Sequence, residues 1–317
     1  NVNVKGFDFS GFTNLKTLNL DTTQGLTADQ FNGLPIKAKA SIEILNLTSL
    51  NVADFDFSEF TNLKTLIFKH SKNLTEEMFN AIPAEASIET LDLTNIDVAD
   101  FDLSEFANLK KLDLYSSQHL CAAQIDAIPS KFSIEILNLG TSFYSLNMRG
   151  IDFSSFTGLK SLNLKKTKNL TAEQFNAIPT EAKATIETLD LSGLDVTDFD
   201  FSGFAGLKGL RMESVQELTL DQFNTIPDKA KASIESLNLG FVDVTNFDFS
   251  GFTNLKKLEL YACEGLSKEQ FDVLSKESKS SVESFELSGV DVTNFDFSGF
   301  TALKKMFFLE SEGLSAK

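Results

Sequence analysis

The chain has 317 residues, 42% of them hydrophobic, and a formal net charge of −17. Like charges oppose approach to nucleic-acid phosphates and anionic lipid, so both are poor partners, and no apolar run reaches the roughly 20 residues needed to span a bilayer. Two cysteines, Cys121 and Cys263, and two histidines, His70 and His119, offer little for a disulfide framework, a zinc site or acid–base chemistry.

From the N-terminus, Val4 to Phe12 matches Val52 to Phe60, so the chain opens inside a repeat. Leu15-Lys-Thr-Leu18-Asn-Leu20 follows, and this A line recurs from Leu63, Leu109, Leu159, Leu207, Leu255 and Leu303. A second, B series runs between them: Ile42-Glu-Ile-Leu45-Asn-Leu47, then from Ile88, Ile134, Ile186, Ile234 and Val282. A to B takes 25 or 27 residues; B to A takes 21, except after Ile134, where it takes 25. Alternate apolar residues are the signature of a strand with one buried face, and a return to the same phase in every unit stacks the strands in parallel.

Each A strand is followed by a helix start such as Leu26-Thr27-Ala-Asp-Gln30-Phe31. Thr27, Thr75, Cys121, Thr171, Thr219 and Ser267 hold the N-cap place, and Gln stands three residues on in five of the six copies. That spacing is a capping box, and a proline, present in five copies, is expected to stop the helix. Each B strand leads instead into a segment such as Val52-Ala-Asp-Phe55-Asp-Phe57-Ser-Glu-Phe60, too short for a helix and apolar on alternate residues. An extended segment closing on a turn is expected there. Most of the 31 phenylalanines lie in these segments or on the helices (Phe31, Phe79, Phe175), which predicts an aromatic spine stacked between turns. The sequence ends at Leu314-Ser-Ala-Lys317, inside an A unit. One solenoid over residues 1–317, a fragment cut mid-repeat at both ends, is the expected organisation, because exposed solenoid ends normally carry a polar cap.

These lines resemble the leucine-rich-repeat superfamily over essentially the whole chain. The long A units are similar to the ribonuclease-inhibitor and cysteine-containing subfamilies, and the short B units to internalin-like repeats. The resemblance implies an α/β solenoid: a horseshoe or arc with a parallel concave sheet of about 13 strands, and with short helices alternating with extended segments on its convex side. It also implies a protein-recognition scaffold, an adhesive or receptor module that binds a protein on the concave face, and neither an enzyme nor a cofactor carrier. The alternative is a structural array, a filament or surface layer built by end-to-end self-association. A microbial surface or secreted location and a cytoplasmic one both fit; Asn46, Asn73 and Asn169 head glycosylation sequons. The family's usual asparagine at the ninth repeat position is replaced in A by Thr23, Ser71, Ser117, Thr167, Val215, Cys263 and Ser311, so the bonding between turns must be rearranged.

Two rows of charge accompany the repeat. The second residue of every A line is Lys (Lys16, Lys64, Lys110, Lys160, Lys208, Lys256, Lys304) and of every B line Glu (Glu43, Glu89, Glu135, Glu187, Glu235, Glu283), an alternating ladder that favours register. Asp8, Asp56, Asp102, Asp152, Asp200, Asp248 and Asp296 lie too far apart in the chain to converge on calcium and read as turn-bonding acids. Neither histidine stands in a grouping with a nucleophile.

In a repeat protein the other copies serve as the control, and departures from them mark where stacking is not the only demand. The outward residues of A strands vary widely, whereas those of B strands are nearly uniform. Only three Tyr and two Arg occur, residue types that dominate interface energetics. Tyr115, Arg211 and Tyr261 fall on the expected concave face; Tyr144 and Arg149 fall in the one insertion, Gly140–Gly150. A partner-binding patch of Tyr115, Phe143, Tyr144 and Arg149 is expected, with Arg211 and Tyr261 as a second contact.

Overall fold

The computed structural model describes residues 2–142, 146–274, 276–309 and 311. Thirteen three-residue strands form one parallel sheet in sequence order: β1 (Thr17–Asn19), β2 (Ile44–Asn46), β3 (Thr65–Ile67), β4 (Thr90–Asp92), β5 (Lys111–Asp113), β6 (Ile136–Asn138), β7 (Ser161–Asn163), β8 (Thr188–Asp190), β9 (Gly209–Arg211), β10 (Ser236–Asn238), β11 (Lys257–Glu259), β12 (Ser284–Glu286) and β13 (Lys305–Phe307). Two compact units, Asn1–Gly158 and Leu159–Lys317, carry β1–β6 and β7–β13. In both units the middle strand residues pair in register, as in Leu18 with Leu45 and Leu210 with Leu237, and all but the half-buried Met306 of β13 are buried. Among the described residues no helix is long and apolar enough to cross a membrane.

The charged ladder forms as expected. Glu43 takes both Lys16 and Lys64 at 2.8 Å, and Glu89–Lys110, Glu187–Lys208, Glu235–Lys256 and Glu283–Lys304 repeat the pairing at 2.7–2.8 Å. The hydrogen bonds from Lys16 and Lys64 hold the Glu43 carboxyl down to about 2.

On the other side of the sheet, the helices Ala28–Asn32, Glu76–Asn80, Ala122–Ala127, Ala172–Asn176, Leu220–Asn224 and Lys268–Asp272 begin at the expected caps. Thr27, Thr75, Thr171, Thr219 and Ser267 each accept the amide N–H three residues on. The capping-box glutamine does more than close the box. Its amide also donates to two carbonyls of the preceding coil: Gln30 to Val4 and Phe7, Gln124 to Val98 and Phe101, Gln222 to Val196 and Phe199, Gln270 to Val244 and Phe247. The helical phenylalanine then stacks on the following extended segment, with ring centroids 4.2 Å apart for Phe31–Phe55 and Phe79–Phe101 and 4.3 Å for Phe175–Phe199 and Phe223–Phe247.

Proline has a second role that the sequence reading did not give it. Pro35, Pro179 and Pro227 cap further short helices, Ile36–Lys39, Thr180–Thr185 and Asp228–Ser233; a missing N–H costs nothing at a helix start, and the fixed φ suits one. These, with Lys276–Ser281, occur in the four units whose A-to-B step is 27 residues; the two 25-residue units have turns or the 3-10 segment Lys131–Ser133 instead. Two residues are the difference between having that extra helix and lacking it. Lys39, Lys183 and Lys231 on these helices are buried along their stems, with ammonium groups 5.7–6.0 Å from the rings of Phe60, Phe204 and Phe223.

The ninth-position substitutions are resolved individually. Ser71, Ser117 and Ser311 donate back to Leu47, Leu93 and Leu287 carbonyls in the preceding coil, and Cys263 Sγ does the same to Leu239 at 2.9 Å. Thr23 and Thr167 turn instead to the carbonyl three residues earlier in their own coil, Leu20 and Leu164. Burial pushes the Cys263 thiol up to about 12, so it is protonated at neutral pH. The Asp row also does what was expected: all seven carboxylates accept the backbone N–H of a serine two residues on, and those serines hold the carboxyls below the usual aspartate value.

Two expectations follow from this bonding. A carboxyl depressed in the folded state stabilises the fold above its unfolded value, and that contribution fades as pH falls from about 4.3 toward the folded value. NMR titration is expected to find Glu43 near 2, and to find it restored to the ordinary glutamate range in Lys16→Met/Lys64→Met. Met78 stands where the other five helices have Gln; Met78→Gln is expected to raise the urea midpoint and Gln222→Met to lower stability by roughly 1–3 kcal/mol, since two carbonyls lose their donor. Equal midpoints for Gln222→Met and the parent would refute the bridging role.

Candidate interaction surface

The open face of the sheet presents the first and third residue of each strand and the residue two places beyond. At the third place eight strands carry Asn or Asp: Asn19, Asn46, Asp92, Asp113, Asn138, Asn163, Asp190 and Asn238. Each side chain accepts the backbone N–H two residues on, at 2.9–3.3 Å, and so turns the chain at the strand's end. The uniformity of the B strands is therefore a backbone requirement. Ile67, Arg211, Glu259, Glu286 and Phe307 forgo this bond, and four of the five lie in the second unit on β9 to β13. Glu286 sits on a B strand, where the sequence comparison between A and B had left it unnoticed.

Within the second unit, Arg211, Asn238, Glu259, Glu286 and Phe307 are neighbours in register. Arg211 Nε lies 3.5 Å from Asp190 Oδ2 without a hydrogen-bond partner. A hollow of about 310 Å³ opens beside it, where Gly209 supplies no side chain and Ser161, Thr188 and Ser236 supply short ones. Glu259 Oε1 pairs with Lys257 Nζ at 2.9 Å, while Oε2 is buried and unpartnered. Ser192 Oγ is likewise buried with no partner. Buried polar atoms are almost always bonded, so three such atoms on one face, Arg211 Nε among them beside Asp190, set this part of the sheet apart from the rest.

Tyr261, just past β11, lies across Gly240, where a Cβ would collide with its ring. Its hydroxyl bonds with Asn238 and Glu213, and burial pushes its pKa up. Phe241 meets that ring edge-on, with centroids 5.3 Å apart. Phe241 is 58% exposed and has φ +60°, in a left-handed slot filled elsewhere by residues such as Ser49, Asn95, Ser116, Gly193 and Gly289. A bulky side chain there costs roughly 1–2 kcal/mol and buries little in return.

In the first unit Tyr115 stands just past β5, its N–H on Asp113 and its hydroxyl on Ser142 Oγ. Phe143 and Tyr144 lie outside the described residues. Arg149 is exposed and occupies the turn register of Ala53 and Ala99: its N–H is on Asn147 Oδ1, as theirs are on Asn51 and Asp97, and Gly150 beyond it faces Ala122 at the head of a helix. It belongs to the loop that leaves the open face, whereas Tyr115 belongs to the face. Arg211 and Tyr261, in the second unit, flank β10, and Glu213, two residues past Arg211, links to Tyr261. The sequence reading missed Phe241, Glu213, Glu259 and Glu286; departure from the Asn/Asp slot would have found Glu259 and Glu286.

No protein-family model matches the sequence, and neither does any curated protein. Solved structures similar to it include an internalin (inlF) of Listeria monocytogenes, with TM-score 0.61 at 16% identity over 88% of this chain and 84% of that one. A leucine-rich-repeat protein of Leptospira interrogans gives TM-score 0.60 at 16% identity over 96% and 83%. The functional domain of InlJ from Listeria monocytogenes, which includes a cysteine ladder, gives 0.52 at 18% identity; 94% of this chain is covered, and it spans about half, 54%, of that one.

The Asn/Asp slot gives a direct test. Glu259→Asn should restore the turn bond and raise stability by about 0.5–1.5 kcal/mol in denaturant unfolding; a loss of stability would mean that Glu259 is there for the fold.

Proposed function

We propose that this chain, which has the leucine-rich-repeat fold, is a recognition scaffold that holds a protein partner on the open, concave face of its sheet. The observation that carries this reading is the placement of Arg211, Glu259, Glu286 and Phe307: side chains on one face that give up a turn-forming bond used by eight other strands. Selection for stacking alone favours Asn or Asp there, and proteins commonly give up stability where a site must be presented. Tyr and Arg on such a face are the residue types from which interface anchors are made. Tyr115 with Phe143 and Tyr144 in the first unit, and Arg211 with Tyr261 in the second, are the anchors of this reading, and Arg149 contributes from the adjoining loop.

Immobilised protein, with captured partners quantified by mass spectrometry, tests this reading. A partner retained by the parent is expected to be lost on Tyr115→Ala or on Arg211→Ala/Tyr261→Ala, and kept by a helical-side control, Glu85→Gln/Glu105→Gln. Loss of the partner with the control alone would overturn the assignment of the open face.

A further inference from the structure

The region from β10 to β12 in the second unit shows what kind of group a partner would bring. Two carboxylates, Glu259 and Glu286, lie there, and a third, Glu213 past β9, stands at its edge, paired with Lys165 at 3.9 Å. Glu259 is 9% exposed, with one oxygen on Lys257 and the other buried and unpartnered. Glu286 faces it in register, and its carboxyl is raised by burial first and by the nearby Glu259 next. Beside them the Tyr261 ring is held over Gly240 by bonds to Asn238 and Glu213, with exposed Phe241 against its edge. A metal ion does not suit this arrangement, because among the described residues no three His, Cys, Asp or Glu side chains converge closely enough to hold one. An organic cation on an alkyl stem needs less convergence: two carboxylate oxygens for its charge and an aromatic wall for its stem.

We propose that this seat receives one lysine or arginine side chain of a protein partner, its cationic group taken by Glu286 and by Glu259, whose carboxylate turns to present Oε2, and its stem lying along Tyr261 and Phe241. The inference rests on the reading of the open face as a protein-binding surface and adds the partner's chemistry: a basic segment that presents one long cation. Glu259 Oε2 gains a donor, and the charge of Glu259 and Glu286, beside which Lys257 is paired to Glu259 while Lys165 is taken up by Glu213, is offset. Tyr261 and Phe241 supply ring faces to which a cation is attracted as it loses water. Gly240 acts as a positioning residue, since any Cβ would evict the Tyr261 ring.

The full chain titrated with heptalysine, followed by NMR, tests the seat. Shifts are expected at Glu259, Tyr261 and Glu286, with heptaglutamate producing none there. Glu259→Gln/Glu286→Gln should weaken binding at least about tenfold, as expected for lost charge-assisted bonds. Gly240→Ala, which keeps every carboxylate, should also weaken it. The charge-matched control Glu85→Gln/Glu105→Gln should leave it within about twofold of the parent. Equal weakening by the control would overturn the seat in favour of general attraction to an acidic surface. Spermine binding as tightly as heptalysine would overturn the assignment to a peptide side chain. If the seat fails while Arg211→Ala/Tyr261→Ala still abolishes partner capture, the wider reading stands; if both fail, both fall.

Discussion

Every coil in this protein must pass its polar backbone to the next coil at a strand's spacing, because coils this short satisfy few of their own hydrogen bonds. The parallel sheet does this on one side. On the other, side chains take over: Gln30, Gln124, Gln222 and Gln270 each bond two carbonyls of the preceding coil, and Asn32, Asn80 and Asn176 accept backbone N–H groups of the following one. Stacked phenylalanines fill the space between. The stability of any one coil therefore depends on its neighbours, as in other solenoids.

The sheet, the caps, the aromatic spine and the lysine–glutamate ladder were all readable in advance, because each depends on residues at fixed spacing in many copies. What escaped depends on conditions that spacing does not carry. Pro35, Pro179 and Pro227 were read as stops because proline ends helices more visibly than it begins them. Lys39, Lys183 and Lys231 would not be placed in a core by composition; only the approach of a phenylalanine ring and a nearby aspartate makes that burial tolerable. Cys263 and the serines of the ninth position reach one coil back, while the β-branched threonines at the same position reach only within their own.

The surface was harder to read than the fold. Rarity drew attention to Tyr115, Arg211 and Tyr261, which the structure places at or just beyond strand ends. It also drew attention to Arg149, whose register is that of Ala53. The extra residues after β6 precede Asn147, so Arg149 lies past them in an ordinary turn. The more telling signal was chemical: a strand end that lacks Asn or Asp has surrendered a hydrogen bond. By that measure the two units differ, with Ile67 alone in the first and Arg211, Glu259, Glu286 and Phe307 in the second. A uniform scaffold thus carries a non-uniform face.

The glutamine bridges all point one way. Gln30, Gln124, Gln222 and Gln270 bond carbonyls 23 and 26 residues earlier in the chain, never later, and Ser71, Ser117 and Cys263 reach 24 residues back. On a ribosome the acceptors have already emerged when each donor appears. For these bonds synthesis and fastening run in the same direction, so each long coil's glutamine finds its acceptors already made, while the asparagine of the same coil meets its partners only when the next coil emerges.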